Sequence, residues 1–405
     1  MLLNFRITNF RSINETVELS MIPSDLKNPV NRIIKTNPNA TKNKDYYGLT
    51  SAAIYGPNAS GKSNIIRALD DFLDFVSNST NNKPNDILNL YNPFKLINAN
   101  LKKPCSFSID LLISKILYEY SIEVNQKEIV AESLFFYPKG IKVKIFERKG
   151  QRIEKGNGYE GVFETIKQRT TENQLFLSKS ATENVVFAKN VYNKIREINI
   201  FTTEVFHGNT FNEHFSDMTF QFNENGIVLI KSLIQKLDTQ IVDFKQAEGG
   251  IKTFHLNDKN DKIEFEFEDE SSGTQRIISF IPLVLMALKY GEVLVVDEFE
   301  RSLHPEIAQY ILGFFNDPEV NTKGAQFIFA THDTTLLSPE NNMRRDQINL
   351  VEKNEKGETE MFAVSDIKGI REGNYEKWYL EGRLGAVPTI ARETFRQELI
   401  DFINS

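Results

Sequence analysis

The sequence predicts an α/β protein with a mixed central sheet, an antiparallel side sheet, and a mainly helical arm inserted between two halves. Three observations predict it. A short apolar strand, Ala52–Tyr55, runs through the glycine-rich turn GPNASGKS (Gly56–Ser63) into a segment whose apolar residues Ile65, Ile66, Leu69, Phe72 and Leu73 fall at helical spacing. Two further apolar strands come late in the chain, VLVV ending on Asp297-Glu298 and QFIFA ending on Thr331-His332. Between Phe107 and Arg148 the pattern alternates with period two, as in a strand meander.

Taken in order, Leu2–Leu19 alternates well enough for two strands, broken at Asn9–Ser12. Met21–Tyr47 is rich in Asn, Pro and Lys and reads as loop, as does the asparagine-rich Asn78–Asn100. The segments SFSIDLLI, YEYSIEV, ESLFFYP and KVKIFER follow as strands, with Pro138-Lys139-Gly140 as one turn and Gln151–Gly161 as loop. Glu164–Phe244 reads as mainly helical, with a polar stretch at Thr202–Asn225; it is too short and irregular for a long coiled coil. Strand alternation returns in Ile251–Glu268, then a helix over Thr274–Tyr290, a buried strand over Glu292–Val296, and a helix from Pro305 to Phe315 with proline at its start. Gln347–Glu352 and Glu360–Val364 form a strand pair, Gly373–Gly385 a loop, and Val387–Ile403 a closing amphipathic helix. The expected units are residues 1–160 and 251–405 as two halves of one head, with 161–250 as the arm.

Composition narrows the classes. Of 405 residues 40% are apolar and 25% charged, which suits a chain with a sizeable core. The 31 phenylalanines are dispersed and read as core. A formal charge of −7 excludes a basic nucleic-acid coat, though not a local basic groove. With Cys105 as the one cysteine, neither an intramolecular disulfide nor a cysteine metal cluster can form, which points to a reducing cytoplasm. The polar start MLLNFRITNFRS is not a signal peptide, and the longest apolar run, Ile281–Leu288, is too short to span a bilayer.

The motifs carry the chemistry. In GxxxxGK[ST] the glycines let backbone N–H groups face phosphate oxygens. Gly56, Asn58, Ala59, Gly61, Lys62, Ser63 and Asn64 are the expected nucleotide contacts, with Lys62 on the β- and γ-phosphates of ATP and Ser63 on Mg²⁺. At the end of VLVV, Asp297 would hold the metal and Glu298 would polarise the attacking water. SSGTQ (Ser271–Gln275) resembles the LSGGQ signature of ABC enzymes, with Ser271 at the leucine position and Thr274 at the second glycine. Ser272, Gly273 and Gln275 would then face ATP held by a second subunit. His332 sits where ABC enzymes place a γ-phosphate switch residue. Catalytic roles thus fall to Glu298, His332 and Lys62. Ser302–Pro305 occupies the place of the D-loop, with His304 where an acidic residue is usual. Arg11 is a candidate phosphate contact, and Gln174 a candidate Q-loop ligand to Mg²⁺, with Gln126 and Gln168 as rivals.

NFRITNFRSI, GPNASGKSN, SSGTQR, VLVVDEFERSLHP, FIFATHDTTLL and the tail YLEGRLGAVP together resemble the RloA/AbiL-type AAA ATP-binding proteins of bacterial defence operons. These are relatives of the RecF, SMC and OLD ATPases. The resemblance covers residues 1–80 and 255–385. It implies an ABC-type ATPase head and an ATP-sandwiched homodimer, with room for higher assembly. It also implies a role against phage alongside a separate effector, Toprim-type, RloB-like or another nuclease, and a phage protein or nucleic acid as trigger. OLD enzymes carry their own Toprim nuclease; here about 50 residues follow the last head strand, too few for such a domain, so a nuclease is expected in trans. The other readings are a RecF/SMC-like DNA repair or recombination ATPase and a scaffold that binds ATP without turnover. Intact Glu298 and His332 speak against the last.

Overall fold

The computed structural model describes residues 1–25, 33–36, 46–202, 224–237, 240–247, 250–371, 373–387 and 392–404. The chain starts with the hairpin β1 (Leu2–Thr8) and β2 (Val17–Ser20), in which Asn4 faces Ser20 and Ile7 faces Val17. Where only loop was expected, β3 (Ile33–Thr36) and β4 (Tyr46–Leu49) pair antiparallel. Strand β5 (Ser51–Tyr55) leads through the glycine-rich turn into helix α1 (Lys62–Asn78). Then come β6 (Cys105–Ile113), β7 (Ile116–Val124), β8 (Ile129–Phe136), β9 (Val143–Lys149) and β10 (Arg152–Lys155), the last in a segment expected to be loop. These five strands join β1 and β2 in an antiparallel side sheet ordered β10-β9-β8-β7-β6-β1-β2.

Helices α2 (Glu164–Arg169), α3 (Phe176–Thr182) and α4 (Val186–Arg196) precede β11 (Ile198–Phe201). Helix α5 (Glu224–Lys236) and the small sheet of β12 (Asp243–Ala247), β13 (Gly250–Leu256) and β14 (Lys262–Glu266) follow. The last part holds α6 (Ser272–Tyr290), β15 (Val293–Val296), α7 (Pro305–Asn316), β16 (Gln326–Ala330), the hairpin β17 (Ile348–Lys353) and β18 (Thr359–Ala363), α8 (Tyr375–Leu380) and α9 (Arg392–Asn404). The short helix α8 lies where the sequence suggested a glycine-bearing loop. None of the described helices is long and apolar enough to cross a membrane.

The central sheet runs β11-β15-β16-β5-β17-β18. Its first five strands are parallel and β18 is antiparallel. Both faces are covered, so its strands are continuously apolar rather than alternating. Period two still sorts them: Ala52 and Ile54 enter one core, with α1 and the side sheet, while Ala53 and Tyr55 enter the other, with α6 and α7. Helix α1 fills the space between the sheets, with the Phe72 ring against Phe5, Phe107 and Tyr120.

The expected arm at 161–250 needs correction over its first part. Leu177, Ala188, Val191 and Ile195 of α3 and α4 lie in the same core as α1, and β11 is the edge strand of the central sheet beside β15. Residues 164–201 therefore belong to the head. The polar stretch expected at 202–225 lies almost wholly outside the described residues.

A fully buried ion pair ties this stretch to the side sheet. Glu132 on β8 accepts from Phe176 N and Leu177 N at the start of α3 and from Tyr120 Oη. Arg148 on β9 lies 3.7 Å from Glu132 and donates to the carbonyls of Gly150, Thr171, Glu172 and Gln174. Burial pushes the Glu132 carboxyl up and the Arg148 guanidinium down, and each charge partly offsets the shift of the other. Removing one partner leaves a buried uncompensated charge, so Arg148→Met is expected to cost about 3–5 kcal/mol in urea unfolding. The double change with Glu132→Gln should recover part of that loss. A single variant as stable as the wild type would show that the pair does not hold the segment.

Candidate functional site

The parallel strands end together. Val296 pairs with Phe329, Ala330 with Ile54, and Leu350 with Tyr55. Their carboxyl ends therefore present the glycine-rich turn, Asp297-Glu298, Thr331-His332 and Lys353 along one edge, the usual place for a ligand in such a sheet. These groups line one cavity of about 470 Å³, together with residues 58–64.

The turn owes its shape to its glycines. A Cβ on Gly61, whose φ is +117°, would meet Thr359 Oγ1 at 2.2 Å; one on Gly56 would meet the Val351 carbonyl at 2.2 Å. Gly56 therefore lies against β17 rather than on the cavity wall. Ala59 takes the left-handed conformation at φ 64°, uncommon for a residue with a side chain. Lys62 is buried and donates to the carbonyls of Gly56 (2.9 Å) and Pro57 (3.2 Å), and its Nζ lies 3.0 Å from His332 Nε2. Burial lowers the Lys62 pKa, and the charges of Asp297, Glu300 and Glu298 oppose that shift. Ser60 Oγ is buried with no hydrogen-bond partner among the described residues.

Asp297 and Glu298 line the same cavity. Burial raises the Asp297 pKa, countered by a hydrogen bond with the Ser63 side chain. Glu298 sits at φ 50°, and Arg276, one turn into α6, donates to its carbonyl at 2.8 Å. Burial brings the Arg276 guanidinium down to about 10. The Glu298 carboxylate lies 2.9 Å from Arg301, and Glu300 Oε1 accepts from the His332 N–H at 2.8 Å. His332 has its pKa lowered by burial first and by Lys62 second.

A third group braces the turn from outside. Thr359 Oγ1 donates to the Ser60 carbonyl, Ser12 Oγ lies 2.8 Å from Thr359 Oγ1, and Asn64 Nδ2 donates to Ser12 Oγ. Asn64 lines the cavity but commits its amide to this brace. Arg11, next to Ser12, is not part of the wall; its charge acts on Asp71 further along α1. The first turn of the chain thus meets the cradle through Ser12 rather than through the expected arginine.

Two further assignments change. Gln174 donates from Nε2 to the carbonyls of Thr80 and Asn82, beyond the far end of α1. Seventeen helical residues at about 1.5 Å each put it about 25 Å from the cradle, so it is not a metal ligand there. Gln275 donates from Nε2 to the carbonyls of Phe267 and Glu270 and stabilises the turn before α6 instead of facing outward. Ser271 caps α6 by accepting from Thr274 N, leaving Ser272 exposed. Gly273 packs on the D-loop, where an added Cβ would lie 2.9 Å from the Ser302 carbonyl. Neither Ser272 nor Gly273 lines the cavity of its own chain. His304 caps α7, its Nδ1 accepting from Glu306 N at 3.3 Å. Lys353 and Thr359 were not among the sequence candidates; both lie in a hairpin that matches no motif.

Sheet order, side sheet and cavity define an ABC-type ATPase fold like that of SMC heads. An SMC head solved with the C-winged helix domain of ScpA is 12% identical, with a TM-score of 0.51 over 89% of this chain and 97% of that one. The SMC head domain of Thermotoga maritima is 13% identical, with a TM-score of 0.40 over 89% and 98%. More particularly, residues 51–338 match the family described as "AAA domain, putative AbiEii toxin, Type IV TA system", and the chain belongs to that family. A search of curated proteins finds no match.

The Lys62–His332 contact can be tested by titration. His332 should titrate below the ordinary histidine value of about 6.5. In Lys62→Met its midpoint should rise, because one of the two causes of the depression is gone. Proton NMR of the ring measures this; a midpoint unmoved by the substitution would show that the two groups do not interact in solution.

Proposed function

We propose that the chain binds ATP with Mg²⁺ in this cavity, hydrolyses it, and closes as a homodimer around two nucleotides. The observation that carries this reading is the gathering of charge in a single cavity: buried Lys62 beside His332, together with Ser63, Asp297 and Glu298. The cradle suits a phosphate chain, since Gly61 leaves no room for a side chain and Ser60 Oγ is a buried polar atom without a partner. Ser63 and Asp297 would hold Mg²⁺, a hard cation satisfied by one or two protein oxygens plus phosphate. The metal, when bound, neutralises charge on the β- and γ-phosphates.

The chain's own groups do the remainder. Lys62 exchanges two backbone carbonyls for phosphate oxygens. Glu298 accepts a proton from the attacking water once its carboxylate leaves Arg301. His332, kept neutral by its surroundings and fixed through Glu300, contacts the terminal phosphate. Exposed Ser272 and the start of α6 complete the site of the second subunit, and Arg276 connects that helix to the Glu298 carbonyl.

The family description supports a toxin–antitoxin or abortive-infection setting. Within it we place the protein as a cytoplasmic, RloA/AbiL-like sensor that governs an effector in trans, with part of residues 202–250 serving as the arm toward partner or trigger. The likeness to SMC heads favours a second reading, a DNA repair or recombination ATPase. Tight, salt-dependent DNA binding by the purified protein would support that one.

Lys62→Ala should lose ATP binding in calorimetry while keeping the wild-type melting temperature. Glu298→Gln should still bind ATP, hydrolyse it about 10²–10⁴-fold more slowly, and accumulate a dimer in light scattering. Unchanged turnover would remove Glu298 from the mechanism. Ser272→Arg should block dimer closure without impairing ATP binding to one chain. Mixed with Lys62→Ala it should regain some phosphate release, because one of the two sites in the heterodimer is intact. A Ser272→Arg protein as active as the wild type would exclude the composite site.

A further inference from the structure

Building on the proposed ATP site, we infer that Lys353 is a second phosphate ligand of the cavity, supplied by the β17–β18 hairpin and acting on the phosphates nearer the nucleoside. Lys353 ends β17 and pairs across the hairpin with Thr359. Directly opposed residues of an antiparallel pair project to the same face. The Thr359 hydroxyl already touches the cradle, donating to the Ser60 carbonyl next to Gly61. The Lys353 side chain is thus directed to the cradle, and it lines the cavity with Lys62.

Lys353 is exposed and has no hydrogen bond or ion pair among the described residues. The nearby carboxylates are otherwise engaged: Glu358 with Asn14 and Asn354, Glu360 with Asn354, and Glu352 with the Ala386 N–H. The turn of the hairpin is braced, because the Asn354 side chain, just after β17, donates to the Glu358 and Glu360 carboxylates at the start of β18. It is also tied to the cradle, since Thr359 Oγ1 donates to the Ser60 carbonyl, and to the first turn of the chain, since Thr359 N donates to the Ser12 carbonyl. The backbone from which the lysine starts is therefore fixed beside the cradle.

Position along the sheet selects the phosphate. Asp297 and Glu298 follow β15, three strands from β17 in the order β15-β16-β5-β17. At about 4.8 Å per strand, the origin of Lys353 lies about 14 Å from the strand that carries those acids. The terminal phosphate and Mg²⁺ belong on the acidic side, with Lys62 and His332. The ammonium of Lys353 approaches from the other side, where the chain of a nucleotide continues toward the ribose. Its ligand is phosphate common to ATP and ADP.

Calorimetry with MgATP, MgADP and adenosine on wild type, Lys353→Ala, Lys353→Gln and Lys353→Arg tests this. The neutral variants should lose roughly tenfold in affinity for both nucleotides, the arginine variant should recover most of it, and adenosine should bind equally to all four. The loss should shrink as salt is raised. Equal ATP and ADP binding by wild type and Lys353→Gln would overturn the proposal. So would a loss confined to ATP, which would put the lysine on the terminal phosphate, or an equal loss for adenosine. Because Lys353 is exposed, unchanged melting temperatures are expected throughout. A wild type that binds neither nucleotide refutes the ATP site itself; a wild type that binds both beside unimpaired Lys353 variants refutes only this inference.

Discussion

The site depends on the register of parallel strands β15, β16, β5 and β17. Pairing Val296 with Phe329, Ala330 with Ile54, and Leu350 with Tyr55 makes four separate stretches of sequence end at one edge. A slip of one residue would turn each strand's side chains over, sending Ala53 and Tyr55 to the side-sheet core and Ala52 and Ile54 to the other. Both cores are dense with ring contacts, such as Phe327 against Phe315 and Phe329, or Phe72 against Phe107. Packing on the two faces therefore fixes the edge to within a residue.

On that edge the cradle is a thin loop fixed mainly from behind. Thr359 and Ser12 bind its outside, Val351 lies against Gly56, and the Tyr55 hydroxyl donates to the Asp333 carbonyl beside His332. The tail YLEGRLGAVP completes this backing: Tyr379 packs on Tyr55 and its hydroxyl donates to the Ala386 carbonyl, while Ala386 N donates to Glu352. Much of the sequence that looks most distinctive is thus scaffolding for the glycine-rich turn, one step removed from the cavity.

That division explains what the sequence disclosed. Strands buried on both faces are short unbroken apolar runs, so β5, β15 and β16 were legible to within a residue, as were the cradle and the two acids after β15. Residues singled out by local motif come together: Lys62, Ser63, Asp297, Glu298 and His332 line one cavity. Residues brought to the site by cross-chain geometry were not legible. Lys353 reaches the cavity only because Thr359 pairs with it, and Ser12 displaces Arg11 as the contact of the first turn because of its bond to Asn64. Gln174 was misplaced because a glutamine's neighbours in sequence do not reveal which end of α1 it will meet. Helices α3 and α4 read as an arm because helical spacing shows an apolar face and not what that face covers. His304, where ABC enzymes usually carry an acidic residue, caps α7 through its ring.

The pairing of β5 also has a consequence for how the protein is made. Both its sheet neighbours come from late in the chain, β16 beginning at Gln326 and β17 at Ile348. Gln326 also holds the first strand, accepting from Leu2 N and donating to the Leu2 carbonyl across 324 positions. A chain emerging from the ribosome thus carries an apolar strand with two unsatisfied edges until β16, about 270 residues further on, has been synthesised. Such edges recruit other strands, and contacts this far apart in sequence form slowly. The nascent head should accordingly depend on protection by chaperones, and its early half should be prone to aggregate when produced alone.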